Sequence, residues 1–309
     1  MDETNTESRE DEKLRILRSE LDNFQDIVRY IKPSSGDIPM IPGIDVYGEV
    51  IPYNNLVGGD HIIYVDFNKR YDIDKRIAEA IRNNRPDVAE RLELNKKRAG
   101  VLVADVSGHK ITDAMLSAML HQAFLLGVQY ELKAHGEVTT ELFESLNTRF
   151  FNSSSFSKFI TLIYGEIRED GTFRFINAGH PLPVVFSYKF NKLNKVCRDK
   201  VIHYPPMGSL PSRDDIDCQR NFSRMGYKKR YSVTDIQLMG MWDILFLFTD
   251  GLSDHVNDED EFYFPEHFEK LVRDVKDESA HTIYNRVKED LLKFAKPMDD
   301  IALVVIKKI

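Results

Sequence analysis

Val101-Leu102-Val103-Ala104-Asp105-Val106-Ser107-Gly108-His109 is the stretch on which the fold turns. Apolar residues run into an acid, one more apolar residue follows, and a Ser-Gly pair ends the run. An apolar run of this length bounded by Gly or Asp predicts a buried strand, which puts the acid at the rim of a sheet. Three other stretches share the pattern: Val57-Gly58-Gly59-Asp60, Leu245-Phe246-Leu247-Phe248-Thr249-Asp250-Gly251 and Met298-Asp299-Asp300-Ile301-Ala302-Leu303-Val304-Val305-Ile306. Two of these aspartates end an apolar run, one follows Gly-Gly, and one opens a run. Strand ends bring sequence-distant residues together, and carboxylates sharing one rim repel unless cations bind between them. Hard divalent ions that prefer oxygen, Mg²⁺ or Mn²⁺, answer that need.

Composition narrows the class. With 309 residues, 42% of them hydrophobic, the chain can bury one substantial core with an appendage. A net charge of -8 argues against nucleic acid or an anionic membrane as the main partner. Cys197 and Cys218 have neither metal-ligand nor redox spacing, which fits a reducing compartment. The polar, mostly acidic start has no signal-peptide pattern, and the most apolar helical candidate, 114–128, is interrupted by His121 and Gln122 and too short for a bilayer. The expectation is a soluble, cytoplasmic protein.

Along the chain, residues 1–10 read as a disordered acidic tail and 11–43 as a helix followed by a Pro-rich linker. Leu14, Leu17, Leu21, Phe24, Val28 and Ile31 alternate steps of three and four, a heptad seam. It predicts either a helix packed on its own domain or a homodimer through residues 14–31. The main domain spans 44–309. Strands are predicted at 45–52, 60–67, 99–105, 159–167, 172–178, 182–187, 243–249 and 301–306, with helices at 112–132, 140–150, 265–275 and 279–295. A charged helical insertion fills 68–99, broken near Pro86, and reads as a recognition lid or a plain surface helix pair. Residues 188–235 are polar and turn-rich, with a basic run (Arg220, Arg224, Lys228, Lys229, Arg230) that reads as a solvated loop or a dock for an acidic partner. Hairpins separated by paired helices predict an α+β fold: two mostly antiparallel sheets flanked by helices, a four-layer α-β-β-α sandwich.

Gly58-Gly59-Asp60, Asp105-Val106-Ser107-Gly108, Asn177-Ala178-Gly179-His180-Pro181, Pro206-Met207-Gly208, Thr249-Asp250-Gly251 and Asp299-Asp300 occur in an order that resembles the SpoIIE/RsbU-type serine phosphatases, the bacterial branch of the metal-dependent protein phosphatases of type 2C (PPM). The resemblance runs from about residue 27 to the C-terminus, and the helix and linker before it look like the regulatory helix of RsbU-type proteins. It implies two Mn²⁺ or Mg²⁺ ions. Asp60 would bridge them, Asp105 and the Val106 carbonyl would hold one, and Asp250 and Asp299 the other. Asp300 would join the set through water or support its loop. It also implies a phosphorylated signalling protein as substrate, such as an anti-sigma-factor antagonist. Asp60, Asp105 and Asp250 are the expected catalytic acids. Apart from the resemblance, His109 would protonate the leaving serine or bind phosphate, or simply close a Gly turn. Asn177 and His180 would shape the site edge, and Asp254 would stand behind Asp250. Where the family often has an acid three residues past the Gly-Gly-Asp aspartate, this chain has Ile63.

Two other readings compete with that enzyme. One is a pseudophosphatase acting as a dimeric phosphoprotein-binding module, against which the presence of all four aspartates counts. The other is a hydrolase of small phosphoesters on the same scaffold.

Overall fold

Strand alternation in a computed structural model of the chain explains its layers. It describes residues 3–31, 38–53, 58–107, 111–153, 158–196, 199, 201–216, 220 and 222–309. In chain order the elements are α1 (Glu3–Ile31), β1 (Ile44–Ile51), β2 (His61–Asp66), α2 (Phe67–Arg70), α3 (Ile73–Arg82), α4 (Pro86–Leu94), β3 (Arg98–Val106), α5 (Ile111–Ala134), α6 (Thr140–Ser153), β4 (Ile160–Arg168), β5 (Thr172–Ala178), β6 (Val184–Ser187), β7 (Lys192–Lys195), β8 (Thr234–Gln237), β9 (Ile244–Phe248), α7 (Asp250–Ser253), α8 (Glu266–Val275), α9 (Ala280–Phe294) and β10 (Ile301–Lys308). Two five-stranded sheets form, ordered β1-β10-β9-β6-β7 and β2-β3-β4-β5-β8. Val101 and Val103 of β3 meet Leu245 and Leu247 of β9 between the sheets. Leu102 and Ala104 face outward onto Leu120 and Phe124 of α5 and Phe143 of α6. Phe246 and Val305 face outward on the other side, onto Phe268 of α8 and Tyr284 of α9. Because successive side chains point to opposite faces, a strand covered on both sides must be apolar throughout, which is why these runs are unbroken. The result is an α-β-β-α sandwich with its strand pairings antiparallel.

The insertion between β2 and β3 is helical, and Pro86 opens α4 rather than merely interrupting a helix. Four short elements were invisible to periodicity: α2, α7, β7 and β8. The tail expectation is corrected, since helix α1 reaches back to Glu3. α1 contacts α5, yet Leu14, Leu17 and Leu21 stay 51%, 65% and 37% exposed, so the seam is not consumed by the domain. α5 is two-faced: Leu120, Phe124 and Val128 are buried, whereas Met115, Met119, Leu126 and Tyr130 are exposed. The basic run divides as well. Lys228 is buried, 3.1 Å from Glu144 and over the Tyr231 ring, whereas Arg220, Arg224, Lys229 and Arg230 are exposed. Among the described residues, no helix is long and apolar enough to cross a membrane. The two cysteines and residues 1–2 lie outside the described residues.

Candidate active site

Register places the acids. Ala104 pairs with His61, so Asp60, one residue before β2, stands opposite Asp105. In the other sheet Phe248 pairs with Leu303, which brings Asp250 level with Ile301 and beside Asp299 and Asp300. Each sheet thus delivers one pair of strand-end acids, and hydrogen bonds join the pairs. Asp60 Oδ2 accepts from the Thr249 hydroxyl at 2.6 Å and the Ala302 N–H at 2.9 Å. Asp300 spans the same gap: its two oxygens accept from the N–H groups of Tyr53 at 2.8 Å and Gly59 at 2.9 Å. Both glycines beside these acids are required by close approach. A Cβ on Gly58 would fall 1.5 Å from Asp300 Oδ2, and one on Gly251 2.1 Å from the Asp300 carbonyl. Asp300 is therefore built in as a brace on the loop that carries Asp60.

The Val106 carbonyl is aimed by the sheet. The Ser107 N–H, in the same peptide, donates to the Phe159 carbonyl at 3.0 Å on the β4 side. In a trans peptide the carbonyl points the opposite way, toward the β2 side where Asp60 stands.

Burial and like charge dominate the electrostatics. Burial, then Asp105, raise the Asp60 carboxyl well above the carboxylate range; the Thr249 and Ala302 hydrogen bonds only partly offset this. Burial, then Asp250 and Asp299, push Asp105 up to about 7. Asp250 is raised by burial, then by Asp254 and Asp299. Asp60, Asp105, Asp250 and Asp299 are thus brought together, with Asp254 behind Asp250. They meet at charge–charge range: among the described residues, no three acid, histidine or cysteine side chains stand close enough to ligate one ion in common. The donor set is nonetheless the one hard cations take, all oxygen and all anionic but for a carbonyl, in surroundings that penalise the unneutralised charge.

Nearby, Asn177 closes its turn by donating to the His180 carbonyl at 2.9 Å and accepting the His180 N–H at 3.0 Å. Burial pushes the His180 imidazole down to about 3, so it stays neutral. A cleft of about 840 Å³ opens beside this turn, shared with Phe248 and Ser253 that flank Asp250. Ile63 is a fully buried core residue. His109 lies outside the described residues.

Sequence reading missed a buried polar stripe on α5. Asp113, Ser117 and His121 follow one another at steps of four along a largely apolar helix, each at most 6% exposed. Ser117 Oγ donates to the Gly59 carbonyl, and His121 Nδ1 lies 2.9 Å from Nε2 of His61, the residue after Asp60. Polar residues at the helical repeat inside an apolar helix are a legible signal.

Residues 95–308 match the family of Stage II sporulation protein E (SpoIIE), a span of well over half the chain. This chain belongs to the SpoIIE family. Solved structures agree on the fold of this SpoIIE-family chain. The RsbU and RsbW domains of Rv1364c from Mycobacterium tuberculosis align over 87% of the chain at 21% identity and TM-score 0.58; the chain spans 61% of that two-domain structure. The SiaA-PP2C domain of Pseudomonas aeruginosa aligns over 96% of the chain and 98% of its own length at 12% identity and TM-score 0.61. RsbX in complex with magnesium aligns over 87% of the chain and 96% of its own length at 12% identity and TM-score 0.51. No curated protein matches the chain in sequence. The fold is that of the PP2C-like phosphatases.

Proposed function

We propose that this SpoIIE-family chain is a Mn²⁺- or Mg²⁺-dependent protein serine/threonine phosphatase of the cytoplasm. The carrying observation is the meeting of two strand-end acid pairs, one from each sheet, with Asp105 raised to about 7 by burial and its neighbours' charge. Asp60 would lie between two ions, Asp105 and the Val106 carbonyl would hold one, and Asp250 and Asp299 the other. When bound, such a pair supplies counter-charge to a phosphate dianion and acidifies a water for in-line attack. The chain's own contribution is positional. Thr249 and Ala302 fix Asp60 and Asp300 fixes the loop before it, while Asp254 adds like charge beside Asp250. The cleft beside His180 offers room for substrate residues flanking the phosphoserine.

The substrate is a phosphorylated signalling protein, of which an anti-sigma-factor antagonist is the type suggested by the family resemblance. The chain works as a homodimer through residues 14–31, a reading supported by the exposed Leu14, Leu17 and Leu21. Asp60→Asn and Asp250→Asn should each abolish Mn²⁺-dependent hydrolysis of p-nitrophenyl phosphate and of a phosphoserine protein while the fold persists by circular dichroism. Undiminished activity in both variants rejects the site. Leu17→Glu should convert a dimer to a monomer in light scattering; a monomeric unmodified chain at micromolar concentration rejects the seam.

A further inference from the structure

Ser107 is held at every polar atom by two consecutive residues of the facing strand entry. Its N–H donates to the Phe159 carbonyl at 3.0 Å, and its hydroxyl accepts the Phe159 N–H at 3.2 Å. Its carbonyl accepts from the Lys158 ammonium at 2.8 Å. The same ammonium pairs with the Asp113 carboxylate in the first turns of α5, a side chain with no exposure, while Lys158 itself keeps 29%. One of the three grips is backbone to backbone, and the second needs the Ser107 hydroxyl. The third is a side chain, and it ties the Ser107 carbonyl to Asp113 of α5.

From this geometry, and resting on the phosphatase reading above, we infer that Lys158 is a positioning residue for the ion-holding arm Asp105–Val106. The Phe159 ladder bond fixes the peptide whose carbonyl is Val106's. Lys158 holds the Ser107 carbonyl, so the residue after Val106 is gripped at its N–H and its carbonyl alike. Without the ammonium, the Ser107 carbonyl loses a charge-assisted partner. The cost falls on how well the arm is set before an ion arrives, not on the chemistry afterwards. Asp113 turns the contact into a two-way tie. The α5 stripe continues it through Ser117 to the Gly59 carbonyl, so one helix face holds the approaches to both Asp105 and Asp60. Outer partners that orient metal ligands in this way commonly change metal affinity by about 10–100-fold when removed.

The test is Mn²⁺ binding to the full chain by isothermal titration calorimetry, beside Mn²⁺-dependent turnover and thermal unfolding in chelator. Lys158→Met should weaken Mn²⁺ binding about 10–100-fold, while kcat at saturating Mn²⁺ falls far less. Lys158→Arg, which keeps a cation able to reach both partners, should recover most of the affinity. Affinity in Lys158→Met within about twofold of the unmodified chain, against the expected order-of-magnitude loss, overturns the inference. If Lys158→Met melts early in chelator because the buried Asp113 loses its ammonium, Lys158→Met/Asp113→Asn removes both charges. Weak Mn²⁺ binding in that restored fold supports the inference, and unmodified affinity overturns it. Asp250→Asn separates the two levels. If it binds Mn²⁺ and turns over substrate like the unmodified chain, the phosphatase site is wrong; if it fails while Lys158→Met binds normally, only the positioning role is wrong.

Discussion

Arg98 opens β3 and Asp105 stands one residue from its end, and the two ends of this one strand handle buried charge in opposite ways. At the Arg98 end, Nη1 lies 2.9 Å from Glu166 with both side chains 2% exposed, and Nε donates to Asn95 Oδ1 at 2.6 Å. Arg174 pairs with Glu137 at 2.6 Å, and Arg98 lies 3.9 Å from the same carboxylate. Burial alone would raise Glu137, but Arg174, then Arg98 and Arg91, hold it below the usual carboxylate range. At the Asp105 end burial, then the like charges of Asp250, Asp299 and Asp300, raise Asp105 to about 7. The sheet is the same; the supply of counter-charge differs. One end supplies its own counter-charge and serves stability. The other is arranged at a cost in stability that only something from outside can relieve, which marks a site rather than a scaffold.

The comparison breaks most visibly if the closed end is opened. Arg98→Met leaves Glu166 buried without its cation, and loss of one partner of a buried pair costs about 3–5 kcal/mol. Urea denaturation should show that loss, and Arg98→Met/Glu166→Gln should recover much of it. Mn²⁺ affinity should not move in either variant. A variant that stays folded yet loses Mn²⁺ would mean the two ends are not independent.

The open end carries the opposite pH signature. Asp105 has a folded pKa raised to about 7, above its unfolded value of about 4. Between those limits the folded state holds more protons than the unfolded one, so stability falls as pH rises and is lowest above about 7. With chelator present the loss should be roughly 2–4 kcal/mol between pH 4 and pH 8, with Asp60 and Asp250 adding in the same direction. Saturating Mn²⁺ should cancel most of it, and Asp105→Asn should flatten the chelator curve. Chemical denaturation across pH reads all three. A chelator curve that rises with pH would show that the acids are not in repulsive contact.

Much of the fold was legible because its central strands are buried on both faces and cannot be anything but apolar. Leu245 to Phe248 and Ile301 to Ile306 announce themselves for that reason. Strands β7 and β8 did not, because Lys192–Lys195 and Thr234–Gln237 are edge strands whose side chains are largely in water. The acids of the candidate site were legible as strand-end residues, but their supports were not. Lys158, Ser117 and His61 meet their partners across 45 to 60 residues of chain. Only the four-residue repeat of Asp113, Ser117 and His121 hinted at a polar face. Lys228 misled in the other direction: a basic run suggested solvent, yet a single member turns inward to Glu144.

Asp300 offers the finest division between an acid that would hold an ion and one that holds the protein. Sequence reading left it between joining the ligand set through water and supporting its loop; its oxygens accept the N–H groups of Tyr53 and Gly59. Asp300→Asn keeps one acceptor oxygen and turns an amide donor toward the other N–H, at a cost of about 1–2 kcal/mol. The Gly58–Asp60 loop should loosen and Mn²⁺ affinity drop about tenfold, the lower end of what an orienting partner contributes. Turnover should then return as Mn²⁺ is raised, because the brace sets where Asp60 waits and takes no part afterwards. Were Asp300 an ion ligand in its own right, its amide would be as inactive as Asp60→Asn at every Mn²⁺ concentration. A metal titration of turnover in the two variants side by side decides between these roles.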